Sequence, residues 1–408
     1  MRDGSVTNDK RVSATMLDSL PRDWRQATLL GRLLTREGPT PVLIRRGRVL
    51  DISAFAPTVS EFAAQWRGES DVPGKDLGDL EAMPLKAAWE RENEHVVPRL
   101  LSPVDLQCLK ACGVTFAVSA LERVIEERAR GDVGGAQSVR EALEKRVGTQ
   151  ISAVRPGSPE AARLKEALLA AGLWSQYLEV AIGPDAEVFT KGPVMSSVAW
   201  GDWIGVRSDS KWNNPEPEIV LVCDPAGRAV GATLGNDVNL RDIEGRSALL
   251  LGKAKDNNAS CAIGPFIRLF DGGFTLDHVR AAEVTLEVRG EEGYVLKGAS
   301  SMRLISRDPL ELIGQTIGRH HHYPDGFALF LGTMFAPIED RDTPGLGFTP
   351  RRGDLVRISS ERLGTLQNRV THCEHAPPWT LGIGALMRNL AARGLLRPYE
   401  STPGAPAR

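Results

Sequence analysis

Apolar residues recur at helical spacing from Ser119 to Arg130 and again from Ser138 to Val147, the pattern of amphipathic helices. Ser158-Pro159-Glu160 opens a third helix, with a capping serine, a proline in the first turn and an early acid. Another is expected over 308–318, and Thr58 with Glu61 has the spacing of a capping box ahead of one more. Beyond about residue 180 short β-branched runs between Gly, Pro and Asp take over: 217–223, 228–234, 282–289, 293–298, 327–332 and 354–359. Residues 41–52 read as two short strands around a Gly turn, and the Gly/Asp/Pro-rich stretch from Gly68 to Pro84 reads as a linker or mobile loop. Helices first and strands afterwards predict an α+β chain. A small N-terminal α/β domain is expected over 1–95 and a mostly antiparallel, β-rich catalytic domain over 96–408. The end of the chain, 400–408, is expected to fray.

Composition then narrows the class. With 42% hydrophobic and 25% charged residues in 408, disordered and fibrous chains are excluded. Lys and Arg number 50 against 52 Asp and Glu, too balanced for an electrostatic grip on nucleic acid or acidic lipid. No apolar run reaches membrane-spanning length, and the first 16 residues have no apolar signal-type core, so a cytoplasmic protein is expected. Five cysteines fit free thiols in a reducing compartment. Cys108 and Cys112 stand one helical turn apart and read better as buried apolar residues than as a metal pair. His320, His321 and His322 read as a turn, His372 to His375 as a solvated loop, and Gly345-Leu346-Gly347 lacks the helix start of a phosphate loop.

The most informative stretch runs from Pro215 to Asp237. Asp224-Pro225-Ala226-Gly227 has the order of a type I turn and joins two β-rich runs into a hairpin. With Pro225-Ala226 as the loop, Glu218 pairs with Thr233 and Glu216 with Gly235, and Asp237 joins the two glutamates on one face. A slip of one residue would send Asp237 to the other face. Three converging carboxylates repel one another unless a hard cation offsets them, and oxygen-only ligands favour Mg²⁺, with Mn²⁺ or Ca²⁺ also suited. On this pattern alone, a solvated hairpin mouth explains the acids at least as well.

Further motifs follow in order. They are Glu216-x-Glu218, Gly235-Asn236-Asp237 with Arg241-Asp242, Lys255 ahead of Cys261 and Gly264-Pro265, Gly332-Thr333, Gly353-Asp354, and Glu361 through Asn368 to Val370. Together they resemble the fumarylacetoacetate hydrolase superfamily over roughly 100–375, and 40–60 looks like that family's small N-terminal domain. The resemblance implies a catalytic domain built on a β-roll with flanking helices, a divalent metal on Glu216, Glu218 and Asp237, and 2-oxo acid substrates. It also implies Lys255 as the active-site lysine, Arg241 and Thr333 near the substrate, and a homodimer or homotetramer. Lys253 competes with Lys255 because the usual preceding glycine is missing, and the spacing to Gly264-Pro265 favours Lys255.

Hydrolases and decarboxylases of the family often carry Gly-x-Asn-Tyr-x-x-His-x-x-Glu. Here Gly113-Val-Thr115-Phe116-Ala-Val-Ser119-Ala-Leu-Glu122 places Ser119 where the histidine stands and keeps Glu122. A serine without an activating partner is no general base near neutral pH. With Gly205-Val-Arg207-Ser208-Asp209-Ser210, the chain resembles the branch that dehydrates 2-keto-3-deoxy sugar acids. That implies a lyase converting a 2-keto-3-deoxy pentonate, such as 2-dehydro-3-deoxy-D-arabinonate, to 2,5-dioxopentanoate in sugar-acid catabolism. Glu122 or Lys255 would take the C3 proton, Lys255 only if burial depresses its pKa; as an ammonium it would steady the enolate or carboxylate instead. Ser119, Arg207, Ser208 and Asp209 would contact substrate, although the last three read equally well as a polar turn. The alternatives are an acylpyruvate-type hydrolase or 2-oxo acid decarboxylase on the same fold, and a non-catalytic 2-oxo acid binding protein.

Overall fold

Short, largely buried runs form the first strands, β1 (Leu29–Thr35), β2 (Gly38–Arg45) and β3 (Arg48–Asp51), an antiparallel meander. Arg46 and Gly47 both take positive φ (49° and 80°), as a tight hairpin between β2 and β3 requires. The computed structural model describes residues 15–68, 71–93, 95–143, 151–152, 154–335, 337, 339–342 and 347–396. The expected fraying of 400–408 lies outside these residues, as does the end of the helix expected over 138–147.

The Gly68–Pro84 stretch corrects its reading as a linker. It holds β4 (Lys75–Asp79), which pairs with β3. Its lysine, aspartates and glycine sit on the outer edge of a sheet, where charge discourages further pairing, so its composition mimics a loop. Helix α1 (Val59–Gln65) precedes β4, and after β5 (Arg99–Leu101) and β6 (Cys108–Gly113) come α2 (Ala117–Arg128), α3 (Val133–Leu143), α4 (Pro159–Ala170) and α5 (Gln176–Ile182). Thr58 accepts from the Glu61 N–H at 3.0 Å and Ser158 from the Ala161 N–H at 3.1 Å, as their caps predict.

The remaining strands are β7 (Glu187–Gly192), β8 (Trp203–Val206), β9 (Pro217–Cys223), β10 (Ala229–Asp237), β11 (Cys261–Leu269), β12 (Glu283–Arg289), β13 (Val295–Ser301), β14 (Phe327–Phe330), β15 (Leu355–Ser360) and β16 (Gly364–His372). One sheet runs β4-β3-β2-β1-β11-β10-β9-β14-β6-β7, with β5 also on β1, and a second runs β13-β12-β15-β16-β8. Only β14 with β6 and β16 with β8 pair in parallel among these strands. The expected helix near 308–318 is Pro309–Thr316, capped by Asp308.

The sheets face one another where β10 and β11 pack on β15 and β16. Ile219, Leu221, Leu234, Ile358 and Leu366 close the core between them. On the outer side of the large sheet, Val59 and Phe62 of α1, with Trp66 just after it, cover Leu30, Leu43 and Ile267. Every residue of β9 and β11 is buried, which makes the polar residues at their ends conspicuous.

Candidate metal centre and active site

The site grows from the β9–β10 hairpin. The Gly227 N–H donates to the Asp224 carbonyl (2.9 Å), closing the expected turn, while the Asp224 N–H donates to the Arg228 carbonyl (3.0 Å). Pairing therefore starts with Asp224 opposite Arg228, one residue later than expected, and slips again at Val230 between Ala229 and Gly231. Gly235, not Thr233, consequently lies opposite Glu218, and the Asp237 N–H donates to the Glu216 carbonyl at 3.0 Å. Two single-residue slips restore the strand's alternation, so the shared face survives although the pairing predicted for it does not.

One carboxylate oxygen each from Glu216, Glu218 and Asp237 lies within 4.8 Å of the others, and the three residues are 3%, 1% and 1% exposed. Lys255 Nζ donates to Glu216 Oε2 (2.6 Å) and Asp237 Oδ2 (3.1 Å). Lys191 Nζ stands 2.8 Å from Asp237 Oδ1, and Arg123 Nη2 donates to Glu216 Oε1 at 2.7 Å. Glu218 accepts the Gly332 N–H (2.7 Å) and joins no ion pair among the described residues. Register explains that amide: Phe330 of β14 pairs with Val220, which carries Gly332 to the level of Glu218. Only glycine fits there, because φ is +98° and a Cβ would lie 2.0 Å from Thr115 Oγ1.

Cys112, Ser119, Glu187, Phe189, Glu244 and Thr333 complete the cavity around these groups. Strand β7 delivers Glu187, Phe189 and Lys191 at every second position, hence to one face. Gly113 opposite Glu187 leaves the space that its carboxylate occupies, since a Cβ there would fall 1.8 Å from Glu187 Oε2. Helix α2 buries a polar stripe, Ser119, Glu122, Arg123 and Glu126, at i, i+3, i+4 and i+7. Arg123 Nη1 bonds Glu126 (2.6 Å) and reaches Glu244 (3.0 Å). Behind it, Arg241 donates to Glu126 and Glu122, both at 2.6 Å, and stacks 4.2 Å from the Trp212 ring centre. Arg140 completes the layer by donating to Glu122 at 2.8 Å.

Seven carboxylates (Glu122, Glu126, Glu187, Glu216, Glu218, Asp237 and Glu244) thus meet five cations (Lys191, Lys255, Arg123, Arg140 and Arg241). The deficit of two is the charge of one divalent ion. Protons cover part of it in the metal-free chain. Burial, with Asp237 and Glu216 nearby, holds Glu218 well above the usual carboxylate range. Burial likewise raises Glu187 and pushes Glu244 up to about 7 despite Arg123. Asp237 goes the other way, because Lys191 and Lys255 outweigh its burial. Burial alone would depress Lys255, but Asp237, Glu216 and Glu244 hold it well above the lysine range, so in this state it is an ammonium rather than a neutral base. The crowded all-oxygen donor set fits a hard divalent cation, with Glu216, Glu218 and Asp237 to hold it.

The predicted residues separate by position. Ser119 and Thr333 line the cavity, Ser119 donating to the Phe116 carbonyl (2.8 Å) and Thr333 to that of Phe335 (2.8 Å). Glu122 and Arg241 lie in the charged layer behind it, with Glu122 committed to two arginines. Arg207, Ser208 and Asp209 are not among the lining residues. Arg207 pairs with Asp209 (2.7 Å) and reaches Asn257 (3.3 Å). Lys253 lies 3.5 Å from that same Asp209, so of the two lysines only Lys255 meets the carboxylates. Cys108 and Cys112 sit on strand β6, not a helix. Sequence reading missed Lys191, Arg123, Glu187 and Glu244. The alternation on β7 and the helical spacing of Arg123 from Ser119 were the available signals.

Fold and carboxylate centre together define a class. Residues 176–371 match the fumarylacetoacetate (FAA) hydrolase C-terminal family. Over 195 residues, 48% of this chain and 63% of the relative, it is 35% identical to a probable 2-keto-3-deoxyxylonate dehydratase of Haloferax volcanii. Over 180 residues, 44% of this chain and 57% of the relative, it is 33% identical to 2-dehydro-3-deoxy-D-arabinonate dehydratase of Saccharolobus solfataricus. The matched stretch thus spans less than two thirds of either curated relative. Among solved structures, a hexagonal crystal form of 2-keto-3-deoxyarabinonate dehydratase superposes with a TM-score of 0.59 at 22% identity, covering 84% of this chain and 98% of its own. A 2-keto-3-deoxy-D-arabinonate dehydratase complexed with magnesium and 2,5-dioxopentanoate gives 0.58 at 21%, covering 84% and 99%. At these identities the structures establish the fold.

Proposed function

We propose that the chain is a divalent-metal-dependent dehydratase that converts a 2-keto-3-deoxy pentonate to 2,5-dioxopentanoate. The observation that carries this reading is the buried Glu216, Glu218 and Asp237 trio, held against Lys255 in a cavity bounded by Ser119 where a hydrolase would present histidine. Similarity to two dehydratases of such sugar acids supports the substrate class, and the magnesium complex of a structural neighbour supports Mg²⁺. A divalent ion held by Glu216, Glu218 and Asp237 would supply positive charge against the negative charge that grows on the substrate's 2-oxo oxygen as C3 loses its proton.

The chain's own residues supply the rest. Lys255 is a fixed ammonium that adds a second positive charge beside the enolate oxygen. Glu187 faces the cavity without an ion pair among the described residues, and its raised pKa suits it to take the C3 proton and pass it to the departing C4 hydroxyl. Glu122, the other base expected, holds Arg241 in place instead. Ser119 is tied to the Phe116 carbonyl and activates no water, which favours elimination over hydrolysis. The C3 proton and C4 hydroxyl leave as water, and tautomerisation gives the dioxo acid without an outside oxidant.

The test is incubation of the purified protein with Mg²⁺ and 2-keto-3-deoxy-D-arabinonate, following the semialdehyde through a coupled dehydrogenase. Product formation that stops with EDTA is expected. Turnover of acylpyruvates with none of the pentonate would overturn the reading.

A further inference from the structure

A second cavity lies outside the carboxylate centre, between β1, β5, the 195–203 segment and the chain at 377–381. Arg32, Arg91 and Arg99 line it, against a single lining carboxylate, Asp202. The Arg32 and Arg91 side chains are 4% and 3% exposed. Their partners leave donors over. Arg91 Nη2 meets Asp202 Oδ1 at 3.0 Å, yet its Nε and Nη1 are buried without an acceptor. Arg32 gives Nη1 to the Val104 carbonyl (2.7 Å), while its Nη2 is buried without one. Its counter-ion Asp105 stands 3.8 Å away and spends its oxygens on the Val59 and Ser60 amides at the start of α1 (2.7 and 3.0 Å). Burial accordingly depresses the Arg32 pKa and raises that of Asp202.

Buried guanidinium N–H groups without acceptors are costly, and an anion that supplies acceptors removes the cost. Apolar Met195, Trp379 and Leu381 also line the cavity. We propose that this cavity binds a small organic carboxylate with a short apolar tail, its head on Arg32 and Arg91 and its tail on Met195 and Trp379. Asn258 and Ala259 also line it, on the loop that follows Lys255, so the ligand sits one loop away from the catalytic lysine.

Calorimetry with hexanoate tests this, with hexanamide and inorganic phosphate as controls. The intact protein should bind hexanoate and neither control. Arg91→Gln should weaken binding at least about tenfold, the loss of one charge-assisted hydrogen bond or more. Trp379→Ala alters a half-exposed residue at the mouth, 47% exposed, and should also weaken it where Arg91→Gln fails to fold. Glu218→Gln should leave it unchanged, which separates this site from the metal centre. Equal binding of hexanamide, no binding by the intact protein, or loss of binding in Glu218→Gln alone would overturn the proposal.

Discussion

Of the three carboxylates proposed to hold the metal, Glu218 is the one with no ion pair among the described residues, and it is where substitution should tell most. Glu218→Gln should lower Mg²⁺ affinity and kcat/KM at least about a hundredfold while the chain stays folded, read by calorimetry and circular dichroism. Glu244 carries the pH signature. Its folded pKa is raised from 4.5 to about 7, so its contribution to stability is present below about 4.5 and is lost as pH rises towards 7. The metal-free protein should lose Tm over that window, and Glu244→Gln should flatten the loss; equal slopes in both proteins would refute the assignment. Part of this chemistry was legible: Glu216, Glu218 and Asp237 stand out as acids around a β-rich, otherwise apolar hairpin, while Lys255, in a polar stretch, was reached only through the family resemblance. Lys191 and Arg123 left only a strand alternation and a helical spacing as signals, and single cations in mixed sequence look the same whether they face solvent or a buried acid.

Among the elements, α2 explains why reading by hydrophobic periodicity stops short. Its stripe of Ser119, Glu122, Arg123 and Glu126 has the spacing of a solvent face, and only the acids and arginines brought by β9 and 241–244 make burial affordable. Strand β7 escaped notice for a related reason, since Glu187 and Lys191 break its apolar pattern at the positions that face the site. The hairpin was readable in kind but not in register, because the bulge at Val230 leaves no mark in composition. The loop that brings the Gly332 amide to Glu218 depends on a conformation closed to other residues. Gly332→Ala should cost about 1–3 kcal/mol of stability and reduce Mg²⁺ binding, measured by urea unfolding and by metal titration. A variant with wild-type stability and affinity would show that the loop adapts.

For the whole molecule, the deficit of two charges couples the metal to folding. Mg²⁺ at a hundredfold its Kd should add about 2.7 kcal/mol of stability. For a chain of 408 residues that is a rise in Tm of about 3 °C, and EDTA should reverse it. No change on adding Mg²⁺ would count against the centre. The continuous large sheet has a practical consequence as well. β1 seals one side of β11, whose other side carries β10 and Asp237, while α2 and β6 reach the cavity from before residue 176. Cutting out 176–371 for recombinant expression would therefore remove Ser119 and Arg123 and leave the apolar edge of β11 open to self-association. The stretch that carries the family likeness is not a unit that can be cloned alone.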